Sequence, residues 1–453
     1  MKTTYLTIIL LIFFYSSHAQ FGPRQLIYEH PTSGGRMIRT ADFDNDDDQD
    51  AVIAISNFIA WYPNDGHGNF GEPNTIELDM GQSFNLLPID IDADGSIDLV
   101  VSYFDQDKVL WYRNLGNGSF SSPQLIAFDL NGAFGVTSAD LDGDGDLDLV
   151  LGVTNGSGLY WVENLDGQGD FGPLINIAPS LSQARRQRLG DMDGDGDIDV
   201  VSNGTYQWIS WFENVDGQGD FSIQHVIETQ GLYENAFDLD DLDGDGDLDI
   251  VSEKNDDLLW RENLDGLGNF GPKTTINSDS EGVSDIHLAD LDNDGFLDVL
   301  TSVTSDNKIA WYKNTDGLGT FGPQQLIETE LIFPRSVYTD DLDNDGDLDV
   351  LTCAIGYNEN RAGWYENLTI LGVEKHDSKK VVLYPIPAKN TLIVANENGL
   401  QIKKIAIYDL LGRLIFVAEK EFNTLDISNL ASGILFVHIL SEDGTLVKRV
   451  VKE

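Results

Sequence analysis

An aspartate ladder of nine residues recurs seven times in this chain, and it limits the possible folds more than any other feature. It reads DFDNDDDQD (42–50), DIDADGSID (90–98), DLDGDGDLD (140–148), DMDGDGDID (191–199), DLDGDGDLD (241–249), DLDNDGFLD (290–298) and DLDNDGDLD (341–349). First positions fall 48 to 51 residues apart. Two further landmarks keep the same period. One is Trp61, Trp111, Trp161, Trp211, Trp260, Trp311 and Trp364, each followed three residues later by Asn64, Asn114, Asn164, Asn214, Asn263, Asn314 or Asn367. The other is Phe21, Phe70, Phe120, Phe171, Phe221, Phe270 and Phe321, often in Phe-Gly-Pro. A fixed period of this length marks a repeat architecture, in which each unit buries its apolar face against its neighbours.

The segments between landmarks read as short strands. A β-branched run follows each ladder, the Trp segment alternates, the Phe segment leads into an apolar pair, and a further strand precedes each ladder. Four strands per repeat with almost no helical period predict an all-β fold. The expectation is a seven-bladed β-propeller with calcium loops (20–368), then a linker (369–380) and a small β-sandwich (381–453). The phase of the repeat predicts how the ring closes. Residues 21–27 form a Phe segment with no ladder before it, and the last repeat stops at Leu368 with no Phe segment after it. The N-terminal strand should therefore complete the seventh blade, which also protects an open sheet edge.

The ladder's chemistry points to calcium. Carboxylates stand at positions 1, 3, 5 and 9, position 6 is a turn Gly, and the position 7 carbonyl can turn inward. Hard oxygen ligands in a flexible loop suit calcium better than magnesium, and soft metals poorly. The expected side-chain ligands are Asp42, Asp44, Asp46 and Asp50; Asp90, Asp92, Asp94 and Asp98; Asp140, Asp142, Asp144 and Asp148; Asp191, Asp193, Asp195 and Asp199; Asp241, Asp243, Asp245 and Asp249; Asp290, Asp292, Asp294 and Asp298; Asp341, Asp343, Asp345 and Asp349. Position 7 is Asp48, Ser96, Asp146, Asp197, Asp247, Phe296 or Asp347. Up to seven calcium ions are expected, stabilising the fold. The first loop is the weakest, because Asp47 replaces the turn Gly. These are not EF-hands: position 12 lacks Glu and a strand follows in place of a helix.

Composition agrees. The formal charge is −50, from 77 acidic and 27 basic residues, which excludes a nucleic-acid backbone or an anionic lipid surface as partner. The only cysteine, Cys353, lies in an apolar run and reads as core, so no intrachain disulfide stabilises the chain. Residues 1–19 read as a secretory signal: Lys2, an apolar stretch over 5–15, then Ser17-His18-Ala19. No segment is long enough to cross a bilayer.

The ladder, the Phe-Gly-Pro and the period resemble the FG-GAP and VCBS repeats of integrin-α propellers and their bacterial and fungal relatives, over residues 20–368. The C-terminal strings LYPIPA (383–388), IAIYDLLGR (405–413), LDISNLASGI (425–434) and KRVVKE (448–453) resemble the type A C-terminal sorting domain of the type IX secretion system of Bacteroidota. Ile386 stands where Asn is usual and Leu435 where Tyr is common. The resemblance implies engagement with the type IX machinery, passage through the outer membrane, and release or surface anchoring.

Repeated residues read as scaffold, so a ligand is sought among those that vary. Three residues before each ladder stand Arg39, Leu87, Thr137, Arg188, Asp238, His287 and Tyr338, expected on the innermost strands. Arg185, Arg186 and Arg188 form a basic cluster able to receive an acidic glycan or a carboxylate, or to pair with neighbouring acids. The candidate ligand residues are Arg39, Arg185, Arg186, Arg188, His287 and Tyr338. His30, His225 and His287 are scattered and read as structural, and no catalytic residue is assigned. The functional expectation is a secreted or surface, calcium-stabilised binding module for a glycan or protein. The alternatives are a propeller-based polysaccharide lyase or hydrolase and a purely structural surface protein.

Overall fold

The computed structural model describes residues 20–30, 35–55, 58–78, 81–156, 158–204, 208–227, 236–355 and 360–368. Towards the C-terminus it describes 381–384, 388–396, 402–409, 413–418, 420, 422–430, 433–441 and 445–452. The signal-peptide segment 1–19, the linker 369–380 and Ile386 lie outside the described residues. The chain divides into two compact units, Met1–Thr369 and Ile370–Glu453.

The first unit holds, among the described residues, seven four-stranded antiparallel sheets. The first is typical: Gly35–Ala41 innermost, then Asp50–Ile55, Phe58–Tyr62 and Asn74–Leu78, in sequence order across the sheet. The seventh breaks that order. Its strands Pro334–Asp340, Asp349–Ala354 and Asn360–Tyr365 are completed by Gln25–His30 from the start of the chain. This is the closure that the phase of the repeat predicts.

Packing explains the apolar runs. Strands such as Asp50–Ile55, Asp98–Tyr103 and Asp349–Ala354 are buried at every residue. Both of their faces are covered, because each sheet shares an apolar cluster with the next. Val52 and Trp61 of the first sheet pack with Leu99 and Tyr112 of the second. The same relation holds between the last and the first, where Leu351, Cys353 and Trp364 pack with Ile38, Ile53 and Tyr62. Cys353 is buried, as expected of core, and burial pushes its thiol up.

The Trp and Asn landmarks join one sheet to another. All seven Trp are at least nine-tenths buried. The Trp61 indole donates to the Gly118 carbonyl of the second sheet at 3.0 Å. A Cβ on Gly118 would lie 2.2 Å from that ring, so the close approach requires glycine. Each Asn reads from sequence as a turn residue; its side-chain amide instead donates to the position 2 carbonyl of the preceding sheet's ladder. The acceptors are Leu342, Phe43, Ile91, Leu141, Met192, Leu242 and Leu291, at 2.7–3.1 Å. These links run through all seven sheets and back to the first.

The second unit has a three-stranded sheet (Val381–Tyr384, Thr391–Asn396, Thr424–Asp426) and a four-stranded one (Leu414–Ala418, Ile402–Asp409, Gly433–Ser441, Thr445–Lys452). Leu392, Val394 and Leu425 of the first share a core with Ile405, Val437 and Val450 of the second. Among the described residues no helix is long and apolar enough to cross a membrane.

Candidate functional site

Each ladder is a tight loop between an innermost strand and the buried strand beside it. The position 1 carboxylate shapes it by accepting backbone N–H groups ahead: Asp90 accepts from Asp94 at 3.0 Å and Gly95 at 2.9 Å, and Asp140 from Gly143 at 2.8 Å and Gly145 at 3.0 Å. Position 6 is left-handed in every loop that has Gly there, as at Gly145 (φ 96°) and Gly295 (φ 91°). A Cβ at either would touch nothing within 4 Å, so glycine serves only the backbone angle. Asp47 takes the same left-handed region at φ 72° and keeps its hydrogen bond to Asp42. The first loop therefore has the geometry of the others despite its substitution.

Position 9 anchors the loop from below. Asp50 and its six counterparts are at most 1% exposed. One carboxylate oxygen of each accepts the main-chain N–H of the landmark Asn at 2.7–2.8 Å. The other accepts from the position 2 N–H, or in Asp98 from the Trp111 indole at 2.9 Å. Burial raises these carboxyls, to about 6 in Asp148, about 7 in Asp50 and about 8 in Asp349.

Position 3 is different. Asp44, Asp92, Asp193, Asp243 and Asp292 each hold a buried carboxylate oxygen, Oδ1, that no donor meets. Burial first, then neighbouring carboxylates, raise Asp44, Asp92, Asp142, Asp193 and Asp243 above the usual range. Ligand atoms of Asp42, Asp44 and Asp50 lie within 4.8 Å of one another, as do those of Asp191, Asp193 and Asp199. Convergent hard oxygens, one of them buried and unmet, fit a divalent cation such as calcium.

The predicted ligand residues come together along the innermost strands. Arg39, Arg185, Arg186, Arg188, His287 and Tyr338 all line one cavity of about 850 Å³. Two of the arginines hold carboxylates of other sheets. Arg186 reaches from the fourth sheet to Asp285 of the sixth at 2.5 Å, and Arg188 holds Asp238 of the fifth at 2.5 Å. Of the two roles open to the basic cluster, these two arginines take the pairing with neighbouring acids, and so brace the sheets. Burial opposes the charge of Asp285, but Arg186, Arg39 and Arg188 outweigh it and hold the carboxyl below its usual range. The Arg39 guanidinium lies 5.0 Å from the Tyr338 ring centre, and Tyr338 packs on His287 at 5.0 Å. The His287 Nε2 is 3.0 Å from Thr339 Oγ1, and burial lowers its pKa.

Sequence reasoning missed Arg36, Arg335, Phe84 and Phe134, which line the same cavity. Each stands six residues before a ladder, where pairing with the next strand slips in a bulge: Gly35/Met37, Ser83/Asn85, Ala133/Val136 and Pro334/Ser336. A bulge re-aims the extra residue, so strict alternation from position −3 does not find it. Arg36 lies 4.6 Å over the Phe84 ring, and Phe84 packs on Phe134 at 4.7 Å. Arg36 and Arg335 make no ion pair with a described residue. Burial, then the neighbouring Arg335 charge, lower the Arg36 guanidinium, and its Nε is buried without an acceptor.

FG-GAP-like repeats match residues 90–151, 191–252, 241–301 and 302–352, and a secretion system C-terminal sorting domain matches 382–453. It is a type IX-sorted FG-GAP repeat protein. The sorting tail implies that this FG-GAP repeat protein is exported across the outer membrane to the cell surface or the extracellular space. A search of the curated proteins found no match. Among solved structures, a lectin from Agrocybe aegerita, described for specific recognition of non-reducing terminal N-acetylglucosamine, matches with TM-score 0.51 and 21% identity. That match covers 66% of the FG-GAP repeat protein and 82% of the lectin. BBS1N, solved in complex with ARL6DN, matches with TM-score 0.53 and 10% identity over 79% of this chain and 99% of its own. At these identities the likeness is one of fold.

Proposed function

We propose that this protein is a calcium-stabilised binding module of the cell surface or extracellular space, with an acidic glycan as its ligand. The ladders are its scaffold and the cavity lined by the innermost strands is its binding site. Arg36 and Arg335 carry the reading: two neighbouring guanidiniums that form no ion pair with a described residue, beside an aromatic ledge of Phe84 and Phe134. In a chain of charge −50, such a local excess of cation selects an anion. Guanidinium meets carboxylate or sulfate through paired N–H donors, and an aromatic face meets the apolar side of a sugar ring. A concave site of this volume suits a small saccharide better than a flat protein surface.

Glycan-array binding, comparing uronate-bearing and sulfated glycans with neutral ones, tests the proposal. Binding of acidic glycans that is lost in Arg36→Ala and Arg335→Ala supports it. Selective binding of neutral glycans, or acidic binding unaffected by both changes, overturns it.

A polysaccharide lyase or hydrolase is the second reading. In its favour, Tyr338 and His287 stand together beside Arg39 on the cavity wall, where a base and a carboxylate-neutralising group would be needed. Turnover of a polyuronate, read as the appearance of unsaturated or reducing ends, would establish this reading over simple binding.

A further inference from the structure

The seven loops share one backbone path but not one charge pattern. In the second sheet, Arg113 Nε lies 2.5 Å from Asp92 Oδ2 and Nη2 lies 2.8 Å from Asp94 Oδ2. In the sixth, Lys313 Nζ meets Asp292 Oδ2 and lies 2.8 Å from Asp294 Oδ2. Each cation therefore bridges positions 3 and 5 of its ladder. Arg113 and Lys313 are equivalent residues, each two after the landmark Trp. At that place the third, fourth, fifth and seventh repeats carry Glu163, Glu213, Glu262 and Glu366, and the first carries Pro63.

A second difference falls on the same two loops. Position 7 is Asp everywhere except Ser96 in the second ladder and Phe296 in the sixth. The loops that gain a tethered cation are thus the loops that lose an acid. In the other direction, Glu213 adds its charge to Asp193, and Glu262 to Asp243. Two independent positions shift together, one on the loop and one on the neighbouring strand.

The physical consequence is competition for one place. A calcium ion needs the position 3 and position 5 carboxylates to converge on it. In the second and sixth ladders a guanidinium or ammonium already spans Oδ2 of both carboxylates, leaving only Oδ1 of Asp92 and Asp292 as buried unmet atoms, and it is held there by the chain rather than by solution concentration. An incoming ion would have to displace a favourable partner and then sit beside its positive charge.

We propose that Arg113 and Lys313 are built-in cations that take the place of calcium in the second and sixth loops, so that the protein loads five loops and leaves two metal-free. The proposal rests on the calcium reading above for the other five. It divides the scaffold into loops held by metal and loops held by the chain itself, and the latter keep their form when calcium is withdrawn.

The test is the number of calcium ions bound per full-length chain, counted by elemental analysis after dialysis to equilibrium in saturating calcium. Wild type should bind five. The double variant Arg113→Glu/Lys313→Glu, which gives both the residue type of the third, fourth, fifth and seventh repeats, should bind two more. Seven ions in wild type would overturn the proposal while leaving the calcium reading intact. None in wild type would overturn both. A folded double variant that gains no ions would also overturn it, and if that variant fails to fold the wild-type count still decides.

Discussion

The side-chain amide of Asn64 donates to the carbonyl of Leu342 at 2.7 Å, joining residues 278 apart in sequence. The same amide donates to Gln49 O at 3.1 Å, and the Asn64 main-chain N–H meets the Asp50 carboxylate. One residue thus ties its own ladder to the ladder of the last sheet. Asn64→Ala leaves two carbonyls without their donor, in a buried setting. It should cost about 1–3 kcal/mol, read as a lower midpoint in urea unfolding. Because Asn64 spans the junction between the last and first sheets, the change should also raise amide exchange in Gln25–His30, the strand that completes the last sheet.

Gly118 faces the Trp61 ring, with φ at 70°. Gly118→Ala meets two penalties at once: a Cβ inside contact distance and a left-handed backbone that Ala resists. A loss of about 2–4 kcal/mol is expected. Gly145→Ala is the comparison, because it has the backbone penalty without the clash. Chemical denaturation should rank Gly118→Ala well below Gly145→Ala.

Glu253 gives a pH dependence free of the ladders. It is 4% exposed, and burial, with Asp256 and Asp257 nearby, raises its carboxyl to about 7. A carboxyl that holds its proton more tightly when folded adds stability at low pH. That contribution is whole below the ordinary value of 4.5 and is lost as pH rises through about 7. Glu253→Gln should remove this part of the slope and be more stable than wild type at pH 8, by up to about 3 kcal/mol. Melting curves at pH 5 and pH 8 compare the two proteins.

The cavity arginines should separate into two kinds. Arg188→Ala strands the buried carboxylate of Asp238 and should lower stability by about 3 kcal/mol. Arg36→Ala breaks no ion pair and should leave the melting temperature nearly unchanged, while weakening an acidic glycan about tenfold or more. Added salt should weaken that binding further, since Arg335 is exposed. Calorimetric titration alongside thermal melts checks both halves.

Much of this was legible in the sequence because the repeat is regular. Strand alternation, the ladder and the phase of Phe21 are local signals, and local signals fix the four-stranded unit and its closure. What escaped depends on partners far along the chain. Asn64 reads as a turn residue because Leu342 is out of sight. Arg113 carries no signal in the sequence, because its carboxylates lie about 20 residues back across a hairpin. Arg36 was hidden for another reason: a bulge adds one residue and breaks the period of two on which the choice of Arg39 rested. Arg186 and Arg188 were visible, but their acids, Asp285 and Asp238, come from other sheets.

On the proposed function, the acid of the ladders is there to hold calcium, and calcium holds the fold. Ions that bind only the folded state stabilise it by mass action, about 2.7 kcal/mol for each site at a hundred times its dissociation constant. The direct measurement is thermal unfolding of the full chain in excess chelator and in millimolar calcium, at constant pH and ionic strength. The melting temperature should be higher by many degrees in calcium, with magnesium at equal concentration far less effective. An unchanged melting temperature would contradict it.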